Sequence, residues 1–264
     1  MILKKCQKKI YARLFGWVAL GVDLMLKFLR ETMHRQCEVQ RLGLMPYQQA
    51  WDLQNALAEK IAVGEQPETL LLLEHPHTYT FGRRGKEENL LWTENQLQSR
   101  GVDVVWVDRG GDITYHGPGQ LVGYPLLQLA PIGWQGSRLP QADYVGYIRT
   151  LEKVLIATLS VFGITGFRAE GKTGVWVHPK DGIDLKKIAS IGVKVDSKGV
   201  TRHGFALNVD TDMSFWAGII PCGLDGVGMT SMSDQLSMLV DMDAVLDVLV
   251  EQFGAAFHKE MVNV

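Results

Sequence analysis

Along the chain, short wholly apolar runs alternate with longer segments whose apolar positions recur every three or four residues. Pro46 to Ala62 carries Ala50, Leu53, Leu57 and Ile61 at helical spacing, with Trp51 flanking and a proline at its start, which predicts an amphipathic helix. Leu70 to Leu73 is an unbroken leucine run and reads as a buried strand. Val102 to Val107 and Gln120 to Leu127 read as two further strands. Tyr144 to Phe162 has a long helical pattern that Gly163 is placed to stop. Thr173 to Val177, Lys187 to Val195 and His203 to Val209 are β-type by their Val, Ile and Trp content or by alternation, and Asp243 to His258 reads as a closing helix. Helices and strands are mixed without strict βαβ alternation, and no repeat or linker interrupts the chain after about Glu38. A single α/β (α+β) domain is predicted, rather than a doubly wound one.

Composition narrows the class. With 264 residues, 46% hydrophobic, 21% charged and a net charge of −2, the chain has enough apolar content for an ordinary core and too little charge imbalance for disorder. Its three cysteines, Cys6, Cys37 and Cys222, form neither a CxxC pair nor an even set, which points to a reducing compartment, the cytoplasm by default. A near-neutral total argues against nucleic acid as a partner.

The total conceals an asymmetry. Residues 1–36 hold eight Lys or Arg against two acids, a net of +6, so the remaining 228 residues carry −8. Within this leader, Leu14 to Val22 is uncharged but is followed by Asp23, too short a run to span a membrane. It has the start of a secretory signal without a clean cleavage site, the look of an amphipathic targeting helix, or no part in the working protein, with translation starting near Met33. The expected division is an N-terminal extension over 1–37 and a catalytic domain over 38–264.

Several motifs look like chemistry, and one misleads. Gly166 to Thr173 satisfies GxxxxGK[ST], but it follows a helix and runs into a β-prone segment, so the helix N-terminus that cradles phosphates is missing. No ATP site is expected there. Zinc is not expected either, because there is no HExxH or CxxC and His75-Pro-His77 lacks a third ligand nearby. Arg109-Gly-Gly-Asp-Ile-Thr-Tyr-His-Gly-Pro-Gly-Gln120 reads as a glycine-rich loop between strands, suited either to close approach of a ligand or to a tight connection. Cys222 sits in a turn between Pro221 and Gly223. It is either a small buried residue or a nucleophile, and Lys187, at the start of a predicted strand, is a basic group able to activate it.

Together these motifs resemble the lipoyl(octanoyl) transferase family, over roughly residues 38–258. The resemblance rests on five ordered blocks: Glu74 to Arg83 (EHPHTYTFGR), Arg109 to Val122 (RGGDITYHGPGQLV), Thr173 to Val177 (TGVWV), Lys187 to Val193 (KIASIGV) and Pro221-Cys-Gly223. It implies a biotin/lipoate protein ligase-like fold, a mixed β-sheet flanked by helices. It also implies that Cys222 is the nucleophile and Lys187 the lysine of a Cys/Lys dyad. The substrate-binding stretches it implies are Arg109, Gly110, Gly111, Asp112, Ile113, Thr114, Tyr115 and His116; Ser190, Ile191 and Gly192; and Gly204, Phe205 and Ala206. Asp112 departs from the family's usual Gln or Lys and is expected to be a tolerated loop position.

The implied reaction moves an octanoyl group from octanoyl-acyl carrier protein to a lysine of lipoyl domains, those of 2-oxoacid dehydrogenase E2 subunits and of glycine cleavage H protein. It needs no cofactor, metal or ATP. Trp176 and Phe205 are candidates for the acyl slot, and Arg83, Arg84, Lys86 and Arg109 for a basic rim that receives an acidic carrier. The competing readings are an ATP-dependent lipoate or biotin ligase of the same fold, and a catalytically silent module that binds lipoyl domains or carrier proteins.

Overall fold

The computed structural model describes residues 36–131, 141–178, 184–221 and 228–264. The basic leader and Cys222 lie outside the described residues. β1 (Gln36–Leu44) opens two residues before the expected domain boundary, and Cys37 is fully buried in the core rather than at the edge of an extension.

Among the described residues, the main sheet has eight strands in the order β10-β8-β9-β6-β2-β1-β11, with β7 paired to β8. Its members are β1, β2 (Glu68–Glu74), β6 (Gln120–Leu126), β7 (Val175–Val177), β8 (Lys186–Val195), β9 (Thr201–Asn208), β10 (Gly228–Met229) and β11 (Glu260–Asn263). Pairing is mixed: β1 runs parallel to β2 and β11, whereas β6 and β9 are antiparallel to their neighbours.

The leucine run explains how this sheet is covered. On β2, successive side chains point to opposite faces. Leu70 and Leu72 enter one apolar core with α3 (Gln141–Val161) and α5 (Met242–Phe257), while Leu71 and Leu73 enter another under α1 (Tyr47–Val63). Burial on both faces is why the strand shows no polar alternation, and each leucine contributes about 1.5–3 kcal/mol of transfer free energy. The helices keep their predicted stripes. α1 buries Ala50, Leu57 and Ile61 and ends at Gly64 in a left-handed cap, and α3 is followed by Gly163, also at positive φ.

The glycine-rich stretch after Arg109 is not all loop. Ile113–His116 forms β5, which with β3 (Thr78–Phe81) and β4 (Asp103–Trp106) makes a second sheet in the order β4-β3-β5. Alternation sorts its residues. Tyr79, Phe81, Ile113 and Tyr115 pack into a third core with Phe215 and Trp216, and the intervening Thr80, Thr114 and His116 face the opposite way. Ile113 and Tyr115, expected to bind substrate, are therefore core residues of this small sheet. Residues 166–173 form an irregular segment pinned to β7 by paired Phe167–Trp176 backbone bonds, and the chain continues as strand, not helix. No helix among the described residues is long and apolar enough to cross a membrane.

Candidate active site

Two neighbouring strands lay down a floor of small residues. Ser190 is registered opposite Ala206, and Gly192 opposite Gly204. Over this floor stands the turn that follows β4. Gly110 N donates to Val193 O at 3.0 Å, tying the turn to β8. The approach at Gly192 is tight: a Cβ there would sit 3.1 Å from both Arg109 Cδ and Gly110 O, so a side chain would press on the turn. The resulting cleft has a volume of about 470 Å³, open mouth included, and is lined by Lys187, Arg109, Gly110, Gly111, Thr114, His116, Ser190, Ile191, Gly192, Gly204, Phe205 and Ala206.

Arg109 is buried beneath the cleft and does not belong to an exposed rim. Its Nη2 donates to Thr80 Oγ1 at 2.8 Å and to Thr80 O, and its Nη1 donates to Gly110 O at 3.0 Å. This cation opposes protonation of its neighbours. His116 is pushed well below its ordinary pKa by burial first, then by His75 and Arg109, and is neutral. Its ring is fixed by Gln120: Nδ1–H donates to Gln120 Oε1 at 2.8 Å, while Gln120 Nε2 donates to Asn208 Oδ1 at 2.9 Å.

Asp112 is more than a tolerated loop position. Its carboxylate accepts from Ile113 N at 2.7 Å, Lys86 N at 3.1 Å and Asn89 Nδ2 at 2.5 Å, so it organises the 82–89 loop. Arg84 N donates to Gly111 O at 3.0 Å in the same junction.

Lys187, on β8, is only 5% exposed and lines both the cleft and a wider adjoining basin, about 1680 Å³ with its open mouth. Its Nζ lies 5.3 Å from the centroid of Trp176, its cross-strand partner on β7. Trp176 is fully buried and lines neither space, so of the two aromatic candidates for the acyl slot only Phe205 lines the cleft. Gly174 (φ +107°) lets the chain pass beside this lysine: a Cβ would fall 2.7 Å from Lys187 Cε and 2.5 Å from Ala189 O. Gly174 N is held by Glu152 Oε1 at 3.1 Å, and Glu152 pairs with Arg149 at 2.6 Å.

The described chain on either side of Cys222 is anchored around this lysine. Ile220 N donates to Asn89 O at 2.8 Å, and Ile220 lines the basin together with Lys187. On the other side, Gly228 and Met229 pair in parallel with Lys186 and Lys187, and Thr230 N donates to Lys187 O at 3.1 Å.

Sequence reasoning missed Tyr47, Tyr124 and His203, which also line the cleft. His203 takes φ +56°, unusual for a residue with a side chain, and its ring nitrogens reach Asp108 Oδ1 at 2.7 Å and Tyr47 Oη at 3.4 Å. His75 joins the same buried group: Nδ1–H donates to Met45 O and Nε2 accepts from Tyr124 Oη, both at 2.7 Å. His77, by contrast, stacks on Phe215 at 3.9 Å in the third core. Among the described residues, no three His, Cys, Asp or Glu side chains are grouped so as to hold a metal ion.

Known proteins resemble this chain in sequence and in fold. Among curated proteins, an octanoyltransferase of Cytophaga hutchinsonii is 40% identical over 248 residues, covering 89% of this chain and 98% of the relative. One of Syntrophotalea carbinolica is 48% identical over 216 residues, covering 82% and 92%. Among solved structures, the Thermoplasma acidophilum bipartite lipoate protein ligase, described with its E2 lipoyl domain, superposes with a TM-score of 0.62 at 16% identity over 88% of each chain. Lipoate-protein ligase A bound with ATP superposes at 0.60 and 15% identity, over 87% of this chain and 88% of the other. These likenesses show the expected lipoate ligase fold, a mixed sheet flanked by helices. The family described as the lipoyl protein ligase A/B catalytic domain matches residues 46–254, and the chain belongs to that family.

Proposed function

We propose that the protein is an octanoyltransferase, moving an octanoyl group from octanoyl-acyl carrier protein to a lysine of a lipoyl domain through a thioester on Cys222. The observation that carries this reading is the placement of Lys187. It is buried where cleft and basin meet, and both described flanks of the Cys222 segment are fastened beside it. The named activity of relatives at 40% and 48% identity supports the same reaction.

In the first half-reaction the Cys222 sulfur attacks the thioester carbonyl, and the carrier thiol leaves with a proton. In the second, the acceptor amine attacks the enzyme thioester, an amide forms, and the Cys222 thiol is restored. The activation already stored in the donor thioester removes any need for ATP. Lowering a thiol pKa from ~8.5 to ~7 raises the thiolate fraction about sixteen-fold at pH 7, but weakened nucleophilicity takes back about five-fold. A nearby positive charge alone thus gives only about a three-fold gain. Lys187 is therefore assigned the proton traffic: it takes the thiol proton, returns it to the departing carrier thiol, and later accepts one from the incoming amine. The octanoyl tail is assigned to the small-residue floor beside Phe205. The catalytic unit is taken to begin with β1, and the compartment to be the reducing cytoplasm.

Intact-mass measurement after mixing with octanoyl-acyl carrier protein tests the proposal. An added octanoyl mass that hydroxylamine removes, and that is absent from Cys222→Ala, is expected. Full transferase activity of Cys222→Ala would sink the assignment, and strict ATP dependence with adenylate formation would replace it with a ligase.

A further inference from the structure

Glu152 is a buried acid that neither half-reaction uses. It lies on the core face of α3, where Leu155 and Leu159 follow it at i+3 and i+7, and all three are fully buried. A carboxylate in such a place is costly to desolvate unless it is paired and hydrogen-bonded, and even then an apolar side chain of the same size serves stability as well. Its two oxygens point to its use. Oε2 accepts from Nη1 of half-exposed Arg149 at 2.6 Å, and Oε1 accepts from the buried Gly174 N at 3.1 Å. The second bond falls at a break in the sheet. A register shift between Val175 and Trp176 interrupts the β7–β8 ladder, and the N–H just before it is taken by a side chain reaching over from the helix. Gly174 in turn lies against the stem of Lys187: the place a Cβ would occupy is 2.7 Å from Lys187 Cε and 3.4 Å from its Nζ. Two residues on, the Trp176 ring centroid is 5.3 Å from the same Nζ. The 174–176 segment therefore borders the lysine side chain twice, and Glu152 fastens its first residue.

We propose that Glu152 is a positioning residue for the acyl transfer: by holding Gly174 N it keeps the 174–176 segment against Lys187 and so fixes where the amine stands in the cleft. This rests on the transferase reading above. Glu152 lines neither the cleft nor the basin, so its part is geometric. A displacement of about 1 Å in a group that moves a proton costs up to about a hundredfold in rate, while donor binding, supplied by other residues of the cleft, stays largely as it was. Arg149 satisfies the second oxygen and orients the carboxylate. A role in stability alone makes a different forecast, since catalysis by the folded fraction would then be unchanged.

The test uses the full chain, with octanoyl-acyl carrier protein as donor and a lipoyl domain as acceptor, and compares two uncharged replacements of similar size. Glu152→Gln keeps a side-chain carbonyl for Gly174 N, and Glu152→Met does not. In Glu152→Met, kcat is expected to fall between about tenfold and a hundredfold with the donor KM within about twofold of the wild type; in Glu152→Gln, kcat should stay within about threefold of it. Leu155→Ala, a cavity one turn along the same helix, should lower the denaturant midpoint without a comparable fall in kcat. Should Glu152→Met not fold, Glu152→Asp, whose carboxylate is drawn back by one methylene, is expected to lose kcat in its place. Equal kcat values for the Gln variant and the Met or Asp variant, or a Leu155→Ala kcat as low as theirs, would overturn the positioning role and leave the transferase reading intact. No acyl transfer by the wild type would overturn both.

Discussion

His203 Nε2 donates to Asp108 Oδ1 at 2.7 Å, joining β9 to the turn that delivers Arg109 to the cleft. Asp108 also pairs with Lys194, and its carboxyl is held well below the usual range, first by the His203 hydrogen bond. The pair clamps the site between a strand and a turn 95 residues apart. In Asp108→Ala the His203 N–H is left buried without that acceptor, at a cost of about 1–3 kcal/mol, and the Arg109 turn loosens. Urea unfolding should show the loss, accompanied by a rise in donor KM. Asp108→Asn keeps an acceptor and should recover most of the stability. An Asp108→Ala protein as stable as the wild type would mean the clamp is ornamental.

The buried histidines set an acid limit on the fold. Burial pushes His75 down to about 4 and lowers His203 and His116 as well, His203 against the opposing pull of Asp108. Unfolded, each has a pKa near 6.5, so below that pH the unfolded chain binds more protons than the folded one. Stability is therefore full above about pH 6.5 and falls as the pH drops toward 4, with His75 alone worth about 3 kcal/mol across that window. Denaturant midpoints at pH 7.5, 6 and 5 should decline in that order, with the steepest change below 6.5. A flat profile from 7.5 to 5 would contradict the buried neutral state of these rings.

Gly174→Ala offers a way to disturb Lys187 without removing it. The new Cβ meets Lys187 Cε at 2.7 Å and the Ala189 carbonyl at 2.5 Å, at a positive φ that alanine tolerates poorly. The strand must shift or the lysine must move. Expected is a fall in acyl-transfer kcat of at least about tenfold with a stability loss of about 1–3 kcal/mol, within the range for strained and overpacked sites. Wild-type kcat would show that the position of Lys187 does not govern the reaction.

What the sequence made legible follows from where its patterns are local. The four leucines of β2 and the stripes of α1, α3 and α5 announce their elements, because each depends on neighbours a few positions away. β5 was hidden by the glycines around it, although Ile113-Thr-Tyr-His alternates apolar and polar as a one-faced strand should. Ile113 and Tyr115, which the resemblance put among the substrate-binding stretches, lie on the core-facing side of this strand. Pairing of β1 with β11 joins Gln36 to Glu260, and no local pattern announces so distant a neighbour. At the site, residues of the 109–116, 187–192 and 204–206 stretches line one cleft. Tyr47 and His203 were not foreseen, since their meeting across 156 residues depends on α1 lying over β9.

Cys37 provides an internal reference for any thiol chemistry assigned to Cys222. It is fully buried on β1, and its thiol is pushed up to about 12 by burial first and by Glu68 next. The thiolate is the reactive form, so at pH 7.5 Cys37 should be almost inert toward iodoacetamide in the folded protein. Peptide mass mapping is expected to find it unmodified in buffer and modified once denaturant unfolds the chain, with the transition tracking global unfolding because β1 lies inside the main sheet. Rapid native-state labelling of Cys37 would show that β1 opens independently of the rest. It would also make the Cys222→Ala control indispensable for reading an added acyl mass, since Cys37 would then be a further reactive thiol in the folded enzyme.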